Sequence, residues 1–121
     1  MTPQTPADLI PHVRDHYRRI LQRGRNGEVA AVMVLLLSPR LPSPARFGRY
    51  ITSATSATID WDGVLAEEWS GTERFLLATA ASLWWSRRVD IDLSRLAYLD
   101  DGQYRLWLDM IEASRTSCLP G

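Results

Sequence analysis

Lysine is absent from this chain: all 14 basic positions among its 121 residues are arginine, matched by 14 acids for a net charge of zero. Exclusive arginine usage fits GC-rich bacterial or phage coding. It also gives every cation the planar, bidentate donor set suited to carboxylate and phosphate. Cysteine occurs once, at Cys118, which excludes an internal disulfide and fits a reducing compartment, so a cytoplasmic location is expected. Long apolar runs are missing too. The strongest, residues 29–37, is nine residues, short of the ~20 that span a bilayer, and no membrane partner is expected. Met1-Thr2-Pro3-Gln4-Thr5 lacks the basic start and apolar stretch of a secretory signal. No glycine-rich phosphate loop and no Gly-x-Ser-x-Gly elbow is present, which removes the common signatures of nucleotide binding and serine hydrolysis.

What is present is a 45% apolar chain of domain size, enough for one hydrophobic core. The expected fold is all-α, a small irregular bundle of five or six helices within a single domain over residues 1–121, its ends frayed at 1–6 and 116–121. Asp8 is the expected N-cap of a helix over residues 9–23, because that start leaves Pro11 in the first turn, where a missing N–H is harmless. Leu9, Val13, Tyr17, Ile20 and Leu21 share one face of it. The apolar run over residues 28–38 fits a buried helix or a buried strand by pattern; its alanines and Glu28 favour helix. Three prolines between 39 and 44 mark a connector, and a short helix is expected over 45–50. The Ser/Thr/Ala tract 52–58 reads as an exposed loop, with a short strand allowed near 50–59.

The clearest local signal is Ser70-Gly71-Thr72-Glu73, a capping box in which Ser70 accepts from the Glu73 N–H while the Glu73 side chain reaches back. It opens a Trp-rich helix expected over about 71–88, apolar nearly all round and therefore central, with Arg87 and Arg88 suiting its C-terminal dipole. Before it, Asp60 or Asp62 can cap a short helix reaching Trp69. After it, Asp92 is expected to cap a short helix over 93–98, and Asp100-Asp101-Gly102 to turn into a last helix over 103–114. On that last helix Tyr104, Trp107, Leu108 and Ile111 form the expected inward stripe. Leu106 and Met110 fall outside it as a second apolar edge.

Three functional readings follow. The favoured one is a non-catalytic protein-interaction or accessory module, with a protein partner or self-association and no cofactor, because no catalytic set is complete. Trp85 must point away from its neighbour Trp84 and, with Leu106 and Met110, is the expected contact set. Trp61, Trp69, Trp84 and Trp107 are assigned to the core. The second reading is nucleic-acid binding. Residues 1–50 carry eight arginines against three acids, a surplus of five, and residues 51–121 carry six against eleven, the mirror deficit; Arg14, Arg18, Arg19, Arg23 and Arg25 are the candidates for phosphate contacts. The third is a metal-dependent enzyme. His12 and His16 stand one turn apart with Asp15 between them, the spacing by which two histidines share a metal, but the chain has no third histidine.

Overall fold

The computed structural model describes residues 6–53, 58–85 and 88–120. Arg87, the middle of the Ser/Thr/Ala tract, and positions 1–5 and 121 of the expected frayed ends lie outside the described residues. Among those described, six α-helices, two 3-10 segments and one two-stranded hairpin make up a small, mainly helical bundle.

A 3-10 turn, Pro6–Asp8, leads into α1, Leu9–Arg23; the helix starts where expected, but Asp8 is already helical at φ −69° and ψ −15° and its side chain makes no cap hydrogen bond, because the 3-10 turn runs straight into the helix. Ile10, Val13 and Tyr17 are buried there, with Leu9, Ile20 and Leu21 packed partly against the core. α2, Gly27–Leu37, resolves the helix-or-strand ambiguity. The Asn26 side chain accepts from the Val29 N–H at 3.0 Å, and the helix stops at Ser38 before Pro39, as the restricted backbone ahead of a proline requires. Every residue from Val29 to Leu36 is buried. That is possible only because α2 packs against α1, α5 and α6 at once.

The proline connector gives way to α3, Pro44–Gly48, and a hairpin of β1, Ile51–Ser53, with β2, Thr58–Ile59, antiparallel and pairing Ile51 with Ile59. The expected short strand is present as this pair. Asp60 caps α4, Trp61–Ala66, through Gly63 N–H at 3.0 Å; the helix ends three residues earlier than expected. α5, Gly71–Trp84, begins with the complete capping box, both hydrogen bonds at 3.2 Å. Phe75 to Ala81 are all buried, so the helix is interior as its composition demands, and it shares that place with α2. It ends at Trp84. Trp85 is already extended, with φ −87° and ψ 145°.

The segment Leu93–Tyr98 is helical within its expected limits but coils as 3-10, capped by Asp92. α6, Asp101–Thr116, has a second capping box, between Asp100 and Gln103, and runs further in both directions than expected. Past it, Ser117 adopts the left-handed conformation at φ 60°, and Leu119 folds back against the core.

The aromatic residues divide between core and rim. Trp61 is 2% exposed and meets Phe47 edge-on at 6.0 Å. Trp84 stacks on Tyr17 at 5.6 Å, whose phenol is pushed well above its ordinary pKa by burial. Trp69 and Trp107 are half-buried, each tied by its indole N–H: Trp69 to the Val64 carbonyl at 2.7 Å and Trp107 to the Thr79 hydroxyl at 3.0 Å.

Candidate interaction surface

Of the three residues expected to meet a partner, two are core. Leu106 is 4% exposed and Met110 is fully buried; with Ala113 they form the stripe that α6 turns inward. The expected inward stripe lies partly outside: Tyr104 is 46% and Ile111 37% exposed, with Trp107 and Leu108 half-buried. The two apolar faces of this helix adjoin, so periodicity sees both and cannot rank them. A close approach to α2 decides: the Cα of Gly27 lies so near the Ser114 carbonyl that a Cβ there would stand 2.1 Å from its oxygen. Trp85, the third residue, is half-buried and packed against the core. Because α5 stops before it, Trp85 does not continue the helical face.

The exposed large apolar side chains among the described residues are Leu37, Leu93, Tyr98, Tyr104 and Ile111, four of them in the last two elements of the chain. Leu93 is 60% and Tyr98 69% exposed, and the 3-10 segment that carries them buries none of its residues. Such a segment gains little hydrophobic free energy from the fold. It is held by local polar contacts instead. The Asp92 carboxylate accepts from the Ser94 N–H at 3.0 Å and the Ser94 hydroxyl at 2.7 Å, and these bonds hold its pKa below the usual aspartate range.

Beside this segment lies a cleft of about 390 Å³ floored by Phe75, Ala78 and Ile91 and rimmed by Arg74, Asp90, Asp92 and Arg95. Arg95 reaches across to the start of α5, where the missing Cβ of Gly71 leaves room for its guanidinium; an added Cβ would lie 2.9 Å from Nη1. The same guanidinium sits 5.8 Å from the Tyr98 ring centroid, within cation–π range. Arg74 donates to the Leu65 carbonyl at 2.6 Å. From the floor of the cleft an aromatic tier runs outward: Phe75 stacks on Trp107 at 5.8 Å, and Trp107 on Tyr104 at 6.5 Å. Tyrosine, tryptophan and arginine gathered around an apolar cleft are the side chains that dominate binding energy at protein interfaces.

The other expected sites are dispersed. His12 is exposed and His16 half-buried, while Asp15 pairs with Arg18 at 3.4 Å. Among the described residues no group of three His, Cys, Asp or Glu stands close enough to hold a metal. Arg19, Arg23 and Arg25 are exposed. Arg14 leaves this group: it is half-buried, with its Nε out of water and without a hydrogen-bond partner.

One polar cluster was not legible in the sequence. Glu67, 24% exposed at its side chain, accepts from Arg46 at 2.8 Å and from the Tyr50 hydroxyl. Arg46 also donates to the Glu68 carbonyl and lies 4.4 Å above the Trp69 ring. The Tyr50 and Arg46 hydrogen bonds pull Glu67 below the usual glutamate range, and the bond to Glu67 raises both partners. All three groups are thereby driven away from neutral pH, the opposite of what general acid–base chemistry needs. The cluster braces α3 and the hairpin to the turn before α5.

No family model, no curated protein and no solved structure matches this chain. The functional reading therefore rests on the surface itself.

Proposed function

We propose that this protein is a non-catalytic interaction module that binds a protein partner, or a second copy of itself, through the face formed by Leu93, Tyr98, Arg95 and Tyr104. The observation that carries the reading is the 3-10 segment Leu93–Tyr98, which holds two large apolar side chains in water and buries none of its residues. An uncovered apolar surface with a polar rim is the usual mark of a contact site, and rigid tyrosines offer contact area at low entropic cost.

The test compares the wild type with Leu93→Ser and Tyr98→Ala in light scattering over a concentration series and in affinity purification. Leu37→Ser, which alters an exposed leucine elsewhere, is the control. Either the oligomer or one defined partner should be lost from the first two variants and kept by the control, with about 2 kcal/mol or more lost at Tyr98 if it is a hot spot. A wild type monomeric throughout, with all variants retaining identical partners, removes the proposal.

A second reading, nucleic-acid binding through α1 and the link after it, is supported by Arg19, Arg23 and Arg25, which are exposed and form no ion pair with a described residue. Salt-dependent retention on DNA, weakened by Arg19→Ala with Arg23→Ala, would favour it. No retention at low salt would end it. The third, a metal-dependent activity through His12 and His16, would require a further ligand from outside this chain, because every His, Cys, Asp and Glu of the sequence is among the described residues and no three of them stand together; metal analysis after zinc supplementation decides it.

A further inference from the structure

Residues 1–50 carry the chain's surplus of arginine and residues 51–121 its surplus of acid, and folding does not cancel the part of that surplus held by α1. Arg40 pairs with Asp100 at 2.9 Å and Arg46 with Glu67 at 2.8 Å, which ties the two halves together at those points. The arginines of α1 stay out of these bridges. Arg18 pairs with Asp15 of its own helix at 3.4 Å, and Arg19, Arg23 and Arg25 are exposed and form no ion pair with a described residue. α2 packs against both α1 and α6, whereas α1 and α6 meet each other at most at their margins, and the segment Leu93–Tyr98 packs on α5. The basic helix and the exposed aromatic face are therefore separate surfaces of one molecule.

The aromatic face is acidic at its ends. Asp90 and Asp92 precede Leu93, Asp100 and Asp101 follow Tyr98, and Arg95 is the one cation between them. Asp90 and Asp101 are exposed and pair with no described residue. Exposed tyrosine rings bracketed by carboxylates match arginine closely. Its guanidinium pairs with a carboxylate or lies flat on a ring, while its aliphatic stem covers apolar surface. Arg19 and Arg23 project from one side of α1, one turn and about 6 Å apart, with Arg25 just past the helix end. The six residues of the 3-10 segment extend about 12 Å, a span that three long side chains cover. A net charge of zero leaves no overall repulsion between copies.

We infer that the aromatic face is occupied by α1 of a second copy: Arg19, Arg23 and Arg25 of one chain seat on Leu93, Tyr98 and Tyr104 of the next, between its Asp90 and Asp101. This rests on the proposed interaction face and names its occupant. The two surfaces differ, so the contact is head-to-tail and leaves every pair with one free α1 and one free face. Association then continues past the dimer, where a two-fold contact would stop.

The experiment follows the mean mass of the nuclease-treated chain by sedimentation over a concentration series. The wild type should grow past the dimer at low salt, and association should weaken at least about tenfold between about 50 and 500 mM salt. Arg19→Glu with Arg23→Glu makes α1 repel the face; Asp90→Arg with Asp101→Arg makes the face repel α1. Each double variant alone should be monomeric, and their equimolar mixture should associate again, because each then offers the charge the other needs. Circular dichroism melts show whether both are folded. Should the face variant unfold, the α1 variant is mixed with wild type instead, where its intact face and disabled helix should terminate the series and lower the mean mass. A wild type monomeric to about 1 mM, a series that stops at two, association unchanged in either double variant, or a mixture that stays monomeric overturns the inference. A monomeric wild type that still captures a partner lost on Tyr98→Ala overturns it too, while leaving the proposed function in place.

Discussion

Replacing Gly27 with alanine tests the contact that sets the rotation of α6. The added Cβ would stand 2.1 Å from the Ser114 carbonyl oxygen and 3.1 Å from its carbon, against an ordinary C···O approach of about 3.3 Å. The two helices must therefore part by roughly 1.2 Å, or the end of α6 must unwind, since the obstacle is backbone and cannot rotate away. Parting them opens the packing between α2 and the Leu106, Met110 and Ala113 stripe, where a gap of about 1 Å already forfeits up to half of each dispersion contact. Overpacking of this kind costs about 3 kcal/mol at the upper end of its usual range, while alanine's better helix propensity returns at most about 1 kcal/mol. The net expectation is a loss of about 2 kcal/mol, which lowers the melting temperature of a chain this size by roughly 8 °C. Thermal unfolding followed by circular dichroism reads it directly. Gly24→Ala is the matched control, since nothing lies within 4 Å of its Cβ position and its backbone is extended; it should melt within about 2 °C of the wild type. A Gly27→Ala protein as stable as the wild type, or more so, would refute the claim that this close approach determines which face of α6 is buried.

Two further expectations follow from the polar contacts. Thr79→Val keeps the shape of a side chain that is 4% exposed but removes the acceptor for the Trp107 indole at 3.0 Å; unfolding in urea should show a loss of about 1–3 kcal/mol, and an unchanged midpoint would mean the indole finds water instead. Glu67 has its folded pKa lowered by Tyr50 and Arg46, so its contribution is fully present above the unfolded value of about 4.3 and is lost as the pH falls through the lower folded value. The melting temperature of the wild type should thus fall more steeply than that of Glu67→Gln as the pH is taken from about 6 to below about 4; parallel curves would show that the cluster adds nothing.

Where a boundary is written by local chemistry, the sequence was a good guide. The Ser70 and Glu73 pair and Asp92 before Leu93 mark element starts with the caps expected of them, because a cap depends on residues within one turn; Asp8 precedes Leu9 but is itself helical and makes no side-chain cap bond. Stops were harder. No glycine or proline follows Trp84, and nothing in the local sequence marks the end of α5 there. The 3-10 coiling of Leu93–Tyr98 was equally hidden, since six residues are too few for a period of 3.0 to separate from 3.6. Among the site residues, the arginines proved individually distinct: Arg14 enters a cleft while Arg19, Arg23 and Arg25 stay in water. Only the connector and the end of α2, distant in sequence from α1, create that difference.

The reversed face of α6 shows why the exposed aromatic surface lies where it does. Burying Tyr104, Trp107 and Ile111 would remove more apolar area from water than burying Leu106, Met110 and Ala113. It would also carry a phenol and an indole N–H against α2, whose buried face from Val29 to Leu36 is wholly apolar and offers no side-chain acceptor. An unmet polar group in such a place costs on the order of 1–3 kcal/mol, enough to offset the gain from a large side chain. The aliphatic stripe has no polar atom to satisfy, so it takes the inner position, and the aromatic stripe is left at the rim. Thr79 answers the Trp107 indole there, while the Tyr104 and Tyr98 rings stand 46% and 69% exposed. A protein partner of the kind proposed for this face would have to supply apolar cover for the rings together with polar groups that meet their hydroxyls.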